Sequence, residues 1–180
     1  MSEADDALAL SKKYESQQPP EYQLALELRD KAAELGNPEA QYSLGQSLLF
    51  PRPTRDPKKG VAWVEKAANQ GWLPAILELA TLYRTGKDVK RDELAGEVWL
   101  MKAAEKGDPE SLMEAASIAE TRGNFPETYL WLRLAADVYA DGAIESLKEL
   151  TERIAPEDLE TGKQRVDAFK AEKRASTQAT

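Results

Sequence analysis

Lys31-Ala32-Ala33-Glu34-Leu35-Gly36-Asn37-Pro38-Glu39-Ala40 decides the fold, because the phrase returns twice. Its second copy is Lys66-Ala67-Ala68-Asn69-Gln70-Gly71-Trp72-Leu73-Pro74-Ala75, and its third is Lys102-Ala103-Ala104-Glu105-Lys106-Gly107-Asp108-Pro109-Glu110-Ser111. The leading lysines lie 35 and then 36 positions apart. A weaker fourth copy runs from Leu134-Ala135-Ala136 to Gly142 after a shorter step. Self-similarity at this period marks stacked helical repeats, in which one unit alone cannot bury its apolar face. Such an array presents a long surface rather than a pocket.

Outward from that phrase, each unit reads as two helices. After Gly36, one stripe of helix A holds Ala40, Leu44, Gly45 and Leu48; after Gly71 it holds Ala75, Leu79, Ala80, Leu82 and Tyr83. After Gly107 the same stripe is Ser111, Ala115, Ala116, Ile118 and Ala119. Spacings of three and four residues put these side chains on one helix face. The small residues Gly45, Ala80 and Ala116 are expected to let the partner helix come close. Helix B carries Trp63, Trp99 and Trp131 at one recurrent position, with Leu28 there in the first unit, and a packing anchor is expected. Asn37, Asp56 and Asp108 are good N-caps, each followed by a proline at the first helical position. Gly36, Gly71 and Gly107 suit the left-handed residue that ends a helix.

The ends extend the array. Ala4 to Ser16 and Glu21 to Leu35 read as a divergent pair interrupted by Pro19-Pro20. Ile144 to Ile154 forms another A helix, and Pro156 to Lys173 a polar closing helix held by Leu159, Val166 and Phe169. The expected fold is an all-α, right-handed α-solenoid of about five antiparallel helix pairs, in one continuous domain over residues 1–174. Within it, 4–35 is the divergent pair, 37–141 the clear repeats and 142–174 the cap, with 175–180 a flexible tail.

Composition narrows the chemistry. The 180 residues contain neither cysteine nor histidine. Disulfides, thiolate metal sites and thiol nucleophiles are thereby excluded, and the commonest general base and metal ligand are missing. A net charge of −8, from 32 acidic and 24 basic residues, opposes nucleic-acid binding, which depends on Lys and Arg neutralising phosphates. The N-terminus, Met1-Ser2-Glu3-Ala4-Asp5-Asp6, is acidic where a signal peptide is basic, and no apolar run approaches membrane-spanning length. The expectation is a cytoplasmic protein without membrane or nucleic-acid partners. Glu105, Glu110, Glu114 and Glu120 lie close in sequence, but paired carboxylates work only at a defined separation within a shaped cleft. No calcium loop, phosphate-binding glycine loop or nucleophile elbow is present. No catalytic residue, metal ligand or cofactor is expected.

The pattern A-x3-L-G-x-L-Y-x2-G, a loop, then W-x2-K-A-A-x2-G resembles the Sel-one-like repeat family of tetratricopeptide-like α-solenoids. Ala75, Leu79, Ala80, Leu82, Tyr83, Gly86, Trp99, Lys102, Ala103, Ala104 and Gly107 carry the best match, and good matching covers roughly residues 28 to 147. Ser47 and Pro51 depart from it, within a stiff basic loop from Phe50 to Pro57. The resemblance implies a non-catalytic scaffold or adaptor that binds a protein or peptide on the concave helix-A surface, often in bacterial signalling, secretion or host interaction. A protein that neutralises a toxin or effector is one version of this reading. A carboxylate-based hydrolase is the competing class.

Removing the core stripe leaves the candidate partner-binding residues: Tyr42, Ser43 and Gln46; Leu77, Glu78 and Thr81; Met113, Glu114 and Ser117; and Lys148, Glu149 and Glu152. Apolar side chains among acids suit a peptide carrying hydrophobic anchors and basic residues. Arg52 and Arg55 join them from the A-to-B loops, which also hold Lys58, Lys59, Arg84, Lys87, Lys90 and Arg91. The opposite turns hold Glu34, Glu39, Asp108, Glu110, Asp137, Asp141 and Glu145. A basic rim and an acidic rim would steer an oppositely patterned partner.

Overall fold

A computed structural model describes residues 2–17, 21–51 and 55–178. Among them are ten helices and no strand: α1 (Glu3–Ser16), α2 (Tyr22–Glu34), α3 (Pro38–Leu49), α4 (Pro57–Asn69), α5 (Leu73–Thr85), α6 (Glu93–Glu105), α7 (Pro109–Thr121), α8 (Phe125–Asp137), α9 (Ala143–Arg153) and α10 (Pro156–Gln178). Odd-numbered helices are the A helices of the repeats and even-numbered ones the B helices. The chain is an all-α solenoid of repeated helix pairs. It contains two compact units, residues 1–99 and 100–180, and the division falls inside α6.

In the first unit, polar side chains start the helices. Asn37 Oδ1 accepts from the Ala40 N–H at 2.9 Å and Asp56 Oδ1 from the Lys59 N–H at 3.1 Å. Each satisfies a donor that the first turn would otherwise leave unpaired. A similar bond outside the phrase, from Asp5 N–H to Ser2 Oγ at 3.2 Å, is half of a capping box at the start of α1. The core is rich in alanine, with Ala25, Ala32, Ala33, Ala40, Ala67 and Ala75 all at 0% exposure. Val64, Ile76, Leu79 and Leu82 fill the space between.

Glycine sets how closely the pairs approach. A Cβ at Gly45 of α3 would lie 2.8 Å from Val64 Cγ2 and 2.9 Å from the Gly60 carbonyl oxygen of α4. One period later Gly96 of α6 takes the place of Gly60, and a Cβ there would lie 2.5 Å from Arg84 Cγ and 3.1 Å from the Ala80 oxygen of α5. The expected small-residue contact is therefore present in both pairs. In each pair it brings backbone against backbone.

In the second unit α8 packs against α7, α9 and α10. Asp108 caps α7 through the Ser111 N–H at 2.9 Å, and Asn124, Oδ1 to the Glu127 N–H at 3.3 Å, caps α8. Trp131 is buried and meets Phe169 of α10 edge-on, with centroids 6.1 Å apart and planes at 72°. Gly162 permits that approach, since a Cβ there would lie 2.9 Å from the Tyr129 side chain. Val166 is buried, as the closing-helix reading expects.

Several expectations need correction. Of the recurrent tryptophans only Trp131 is fully buried; Trp63 and Trp99 are half-buried at the margin of the core. Helix α10 continues to Gln178, beyond the expected end at Lys173, because Ala171 to Gln178 contains no breaker and stays hydrogen-bonded in the helix. The left-handed residue closing α8 is not glycine. Gly36, Gly71 and Gly107 have φ of 100°, 82° and 85°, but the corresponding residue in the fourth unit is Tyr139, at φ 56°. Gly142, at the end of the fourth copy, instead precedes α9 at φ 74°. For a residue with a Cβ, the left-handed region costs about 1–2 kcal/mol. Pro19, Pro20 and Arg52 lie outside the described residues.

Candidate partner-binding surface

On the first unit, the residues left after the core stripe is removed lie on α3 and α5. Gln46 Nε2 donates to Tyr42 Oη at 2.8 Å and to Glu78 Oε2 at 3.1 Å, so one amide joins successive repeats. Tyr42, Ser43, Gln46, Leu77 and Glu78 are half-buried, and Thr81 is exposed. Thr81 Oγ1 donates to the Leu77 carbonyl at 3.0 Å. Burial raises the Tyr42 pKa above its ordinary value, the Glu78 carboxylate adds to the rise, and the Gln46 bond opposes it. The phenol is thus held neutral beside a carboxylate, its oxygen accepting from Gln46. The arrangement offers partly buried hydrogen-bonding groups next to apolar area.

On the second unit, Met113 is half-buried against the core and lines two clefts at once. One cleft, about 180 Å³, lies between α7 and α9 and is also lined by Ala116, Ser117, Glu120, Glu149 and Arg153. The other, about 330 Å³, is bounded by Pro109, Glu110, Ala140 and Asp141. Arg153 pairs with Glu120 and lies 5.7 Å from the centre of the Phe125 ring. Glu114 is half-buried, and Ser117, Lys148, Glu149 and Glu152 are exposed.

The basic loop is less available than its composition suggests. Arg55 Nε donates to the Leu49 carbonyl at 3.2 Å, and the guanidinium also pairs with Asp88. Asp88 has a φ of 65° and a side chain only 9% exposed. This pair joins two successive A-to-B loops. On the opposite edge Lys12 pairs with Glu39 at 2.5 Å, and Lys31 with Glu3 at 3.2 Å.

Sequence reasoning missed the polar links between turns. Asn37 Nδ2 donates to Asp5 Oδ1 at 2.9 Å, and buried Gln41 donates to the Ala33 carbonyl at 3.1 Å. Gln70 Nε2 then reaches Gln41 Oε1 at 2.7 Å and the Gly36 carbonyl at 2.9 Å. Neither Gln41 nor Gln70 recurs in register, so periodicity carries no signal for them. Among the described residues no group of three His, Cys, Asp or Glu side chains could hold a metal ion. Glu105 pairs with Lys173 at 3.7 Å. No helix among the described residues is long and apolar enough to cross a membrane.

The repeated helix pairs define a helical-repeat protein. The sequence model of the Sel1 repeat matches residues 4–37, 38–72 and 73–108, and the chain belongs to the Sel1 repeat family. The match includes the pair α1–α2, set apart above as divergent, and stops before α7. Among solved structures the chain is similar to c5321, a protective antigen of uropathogenic Escherichia coli with this repeat fold. The identity is 23% and the TM-score 0.63, over 92% of this chain and 37% of that one. It thus spans well under half of that protein's length. A Sel1 repeat protein from Oxalobacter formigenes is 29% identical with a TM-score of 0.55, over 60% of this chain and 84% of that one. The immunity protein Pa5087 from Pseudomonas aeruginosa is 19% identical with a TM-score of 0.46, over 93% of this chain and 66% of that one, a likeness too slight to carry function. No curated protein matches the sequence.

Proposed function

We propose that this chain is a non-catalytic protein- or peptide-binding scaffold that engages its partner through the helix-A surface. The observation that supports this reading is the link from Tyr42 through Gln46 to Glu78, which ties three half-buried polar groups on two successive A helices to one another. Pre-ordered side chains lose less conformational freedom on binding, so more of the contact energy becomes affinity. Leu77 supplies an apolar anchor beside Glu78, and Thr81 extends the surface by one turn. Met113, Glu114 and Ser117 offer comparable chemistry on the second unit, and Arg52 and Arg55 would contribute to steering from the loop edge. A partner with apolar side chains flanked by Lys or Arg suits these groups.

Affinity capture from the native lysate, with the bound proteins identified by mass spectrometry, tests the proposal. A stoichiometric protein partner retained by the parent chain and lost with Leu77→Ala or Gln46→Ala supports it. Retention by those variants together with loss on Arg52→Gln/Arg55→Gln would move the interface to the loop edge. Turnover of a substrate abolished by Glu110→Gln or Glu114→Gln would replace it with a hydrolase.

A further inference from the structure

The turn between α8 and α9 inverts the usual placement of apolar residues. Its small residues point inward, Ala140 at 8% and Ala143 at 0% exposure, while Val138, Tyr139 and Ile144 stand out at 39%, 85% and 59%. Tyr139 also holds the left-handed conformation for which the other repeats use glycine. A large aromatic side chain at a strained backbone position, almost wholly in water, brings no packing gain to offset the strain. Strain of this kind points from the observed outlier toward a role in recognition.

The surroundings indicate what that role is. The turn residues Ala140 and Asp141 form one wall of the 330 Å³ cleft, and Pro109, Glu110 and Met113 form the other. Glu110 and Asp141 are exposed in that cleft and Glu145 is exposed in the first turn of α9, while the cations Arg133 and Lys170 are both engaged by Asp137. Lys106 precedes α7, Arg122 follows it, and Lys148 lies midway along α9. We propose that the α8–α9 turn is a second docking surface, in which Tyr139, Val138 and Ile144 pack against apolar side chains of an extended peptide segment of a protein partner. Lys or Arg side chains beside those apolar groups reach Glu110 and Asp141 in the cleft. Aromatic anchors ringed by complementary charge are the usual composition of a binding hot spot. This surface belongs to the second unit, whereas the α3–α5 face belongs to the first.

Selection of phage-displayed random linear peptides on the immobilised full chain tests the inference. The enriched peptides are expected to carry Lys or Arg next to aliphatic or aromatic residues. Tyr139→Gly should weaken their binding about tenfold or more, the loss of a hot-spot contact, while leaving the melting temperature unchanged or raised. Glu110→Gln with Asp141→Asn should weaken it and flatten its salt dependence. Leu77→Ala should leave it within about twofold, because Leu77 belongs to the other unit and is no part of this surface. Four results would overturn the inference: no enrichment, enrichment without cations, equal binding by Tyr139→Gly, or a lower melting temperature for that variant. Loss with Leu77→Ala alone would likewise sink it, while supporting the helix-A face.

Discussion

Tyr42 and Trp131 show how one side chain's surroundings set its energetics. Burial and the Glu78 carboxylate both hold Tyr42 neutral, so its folded pKa lies above the unfolded value of about 10. A raised pKa contributes stability that is full below the unfolded value and is lost as pH rises through it toward the folded one. Burial and the Glu65 carboxylate raise Tyr83 as well, so ultraviolet titration should show two tyrosines ionising later than the rest, and Glu78→Gln should bring one of them, Tyr42, earlier. An unchanged titration on Glu78→Gln would remove the electrostatic part of this account. Trp131→Ala empties a fully buried aromatic site and should cost about 3–5 kcal/mol. Trp63→Ala should cost clearly less, because that ring is half exposed and partly covered by Lys66 Nζ, 3.6 Å from its centre. Equal shifts in denaturation midpoint would contradict the burial ranking.

Helix pairs depend on glycine in two opposite ways. At Gly45 the limit is space: alanine gains about 1 kcal/mol of helix propensity but drives its methyl toward Val64 Cγ2 and the Gly60 carbonyl, both under 3 Å away. Overpacking of this kind costs about 1–3 kcal/mol, so Gly45→Ala should destabilise the protein overall. At Gly107 the limit is backbone conformation, since nothing lies within 4 Å of a Cβ there and φ is 85°. Gly107→Ala should cost about 1–2 kcal/mol through strain alone, with no rearrangement of the neighbouring helices. Amide chemical shifts would separate the two cases: changes on both α3 and α4 for Gly45→Ala, and changes confined to the turn for Gly107→Ala. Widespread changes in the second case would show that the turn is packed after all.

At the scale of the whole molecule, polar contacts recur one period apart, as in Asp5 with Asn37, Gln46 with Glu78, Glu120 with Arg153 and Asp137 with Lys170. Repeat arrays hold together through such nearest-neighbour interfaces. We propose that residues 1–174 act as a single cooperative domain, because the division between the compact units falls within the uninterrupted helix α6. Far-ultraviolet circular dichroism and tryptophan fluorescence should then give one coincident unfolding transition. Two separated transitions would mean that each unit unfolds alone. Most ion pairs are exposed and contribute little individually, so added salt should shift the midpoint only modestly.

The sequence alone determined the helices, their pairing and the inward stripe, because all three follow from a pattern that repeats in register. Asn37, Asp56 and Asp108 cap helices in the structure as their spacing requires, and Ala40, Ala75 and Ala115 are buried. Subtracting the stripe does not predict exposure: Tyr42, Gln46, Leu77 and Glu78 are half-buried, and Met113 packs against the core. What joins them was not legible. The bond from Gln46 to Glu78 depends on how two repeats stack, the restraint of Arg55 depends on Asp88 in the next loop, and neither pair shares a motif. Tyr139 was hidden for the opposite reason. Gly142 lies close enough in sequence to pass for the closing glycine, and only the backbone path of the shorter fourth turn assigns the left-handed position to the tyrosine.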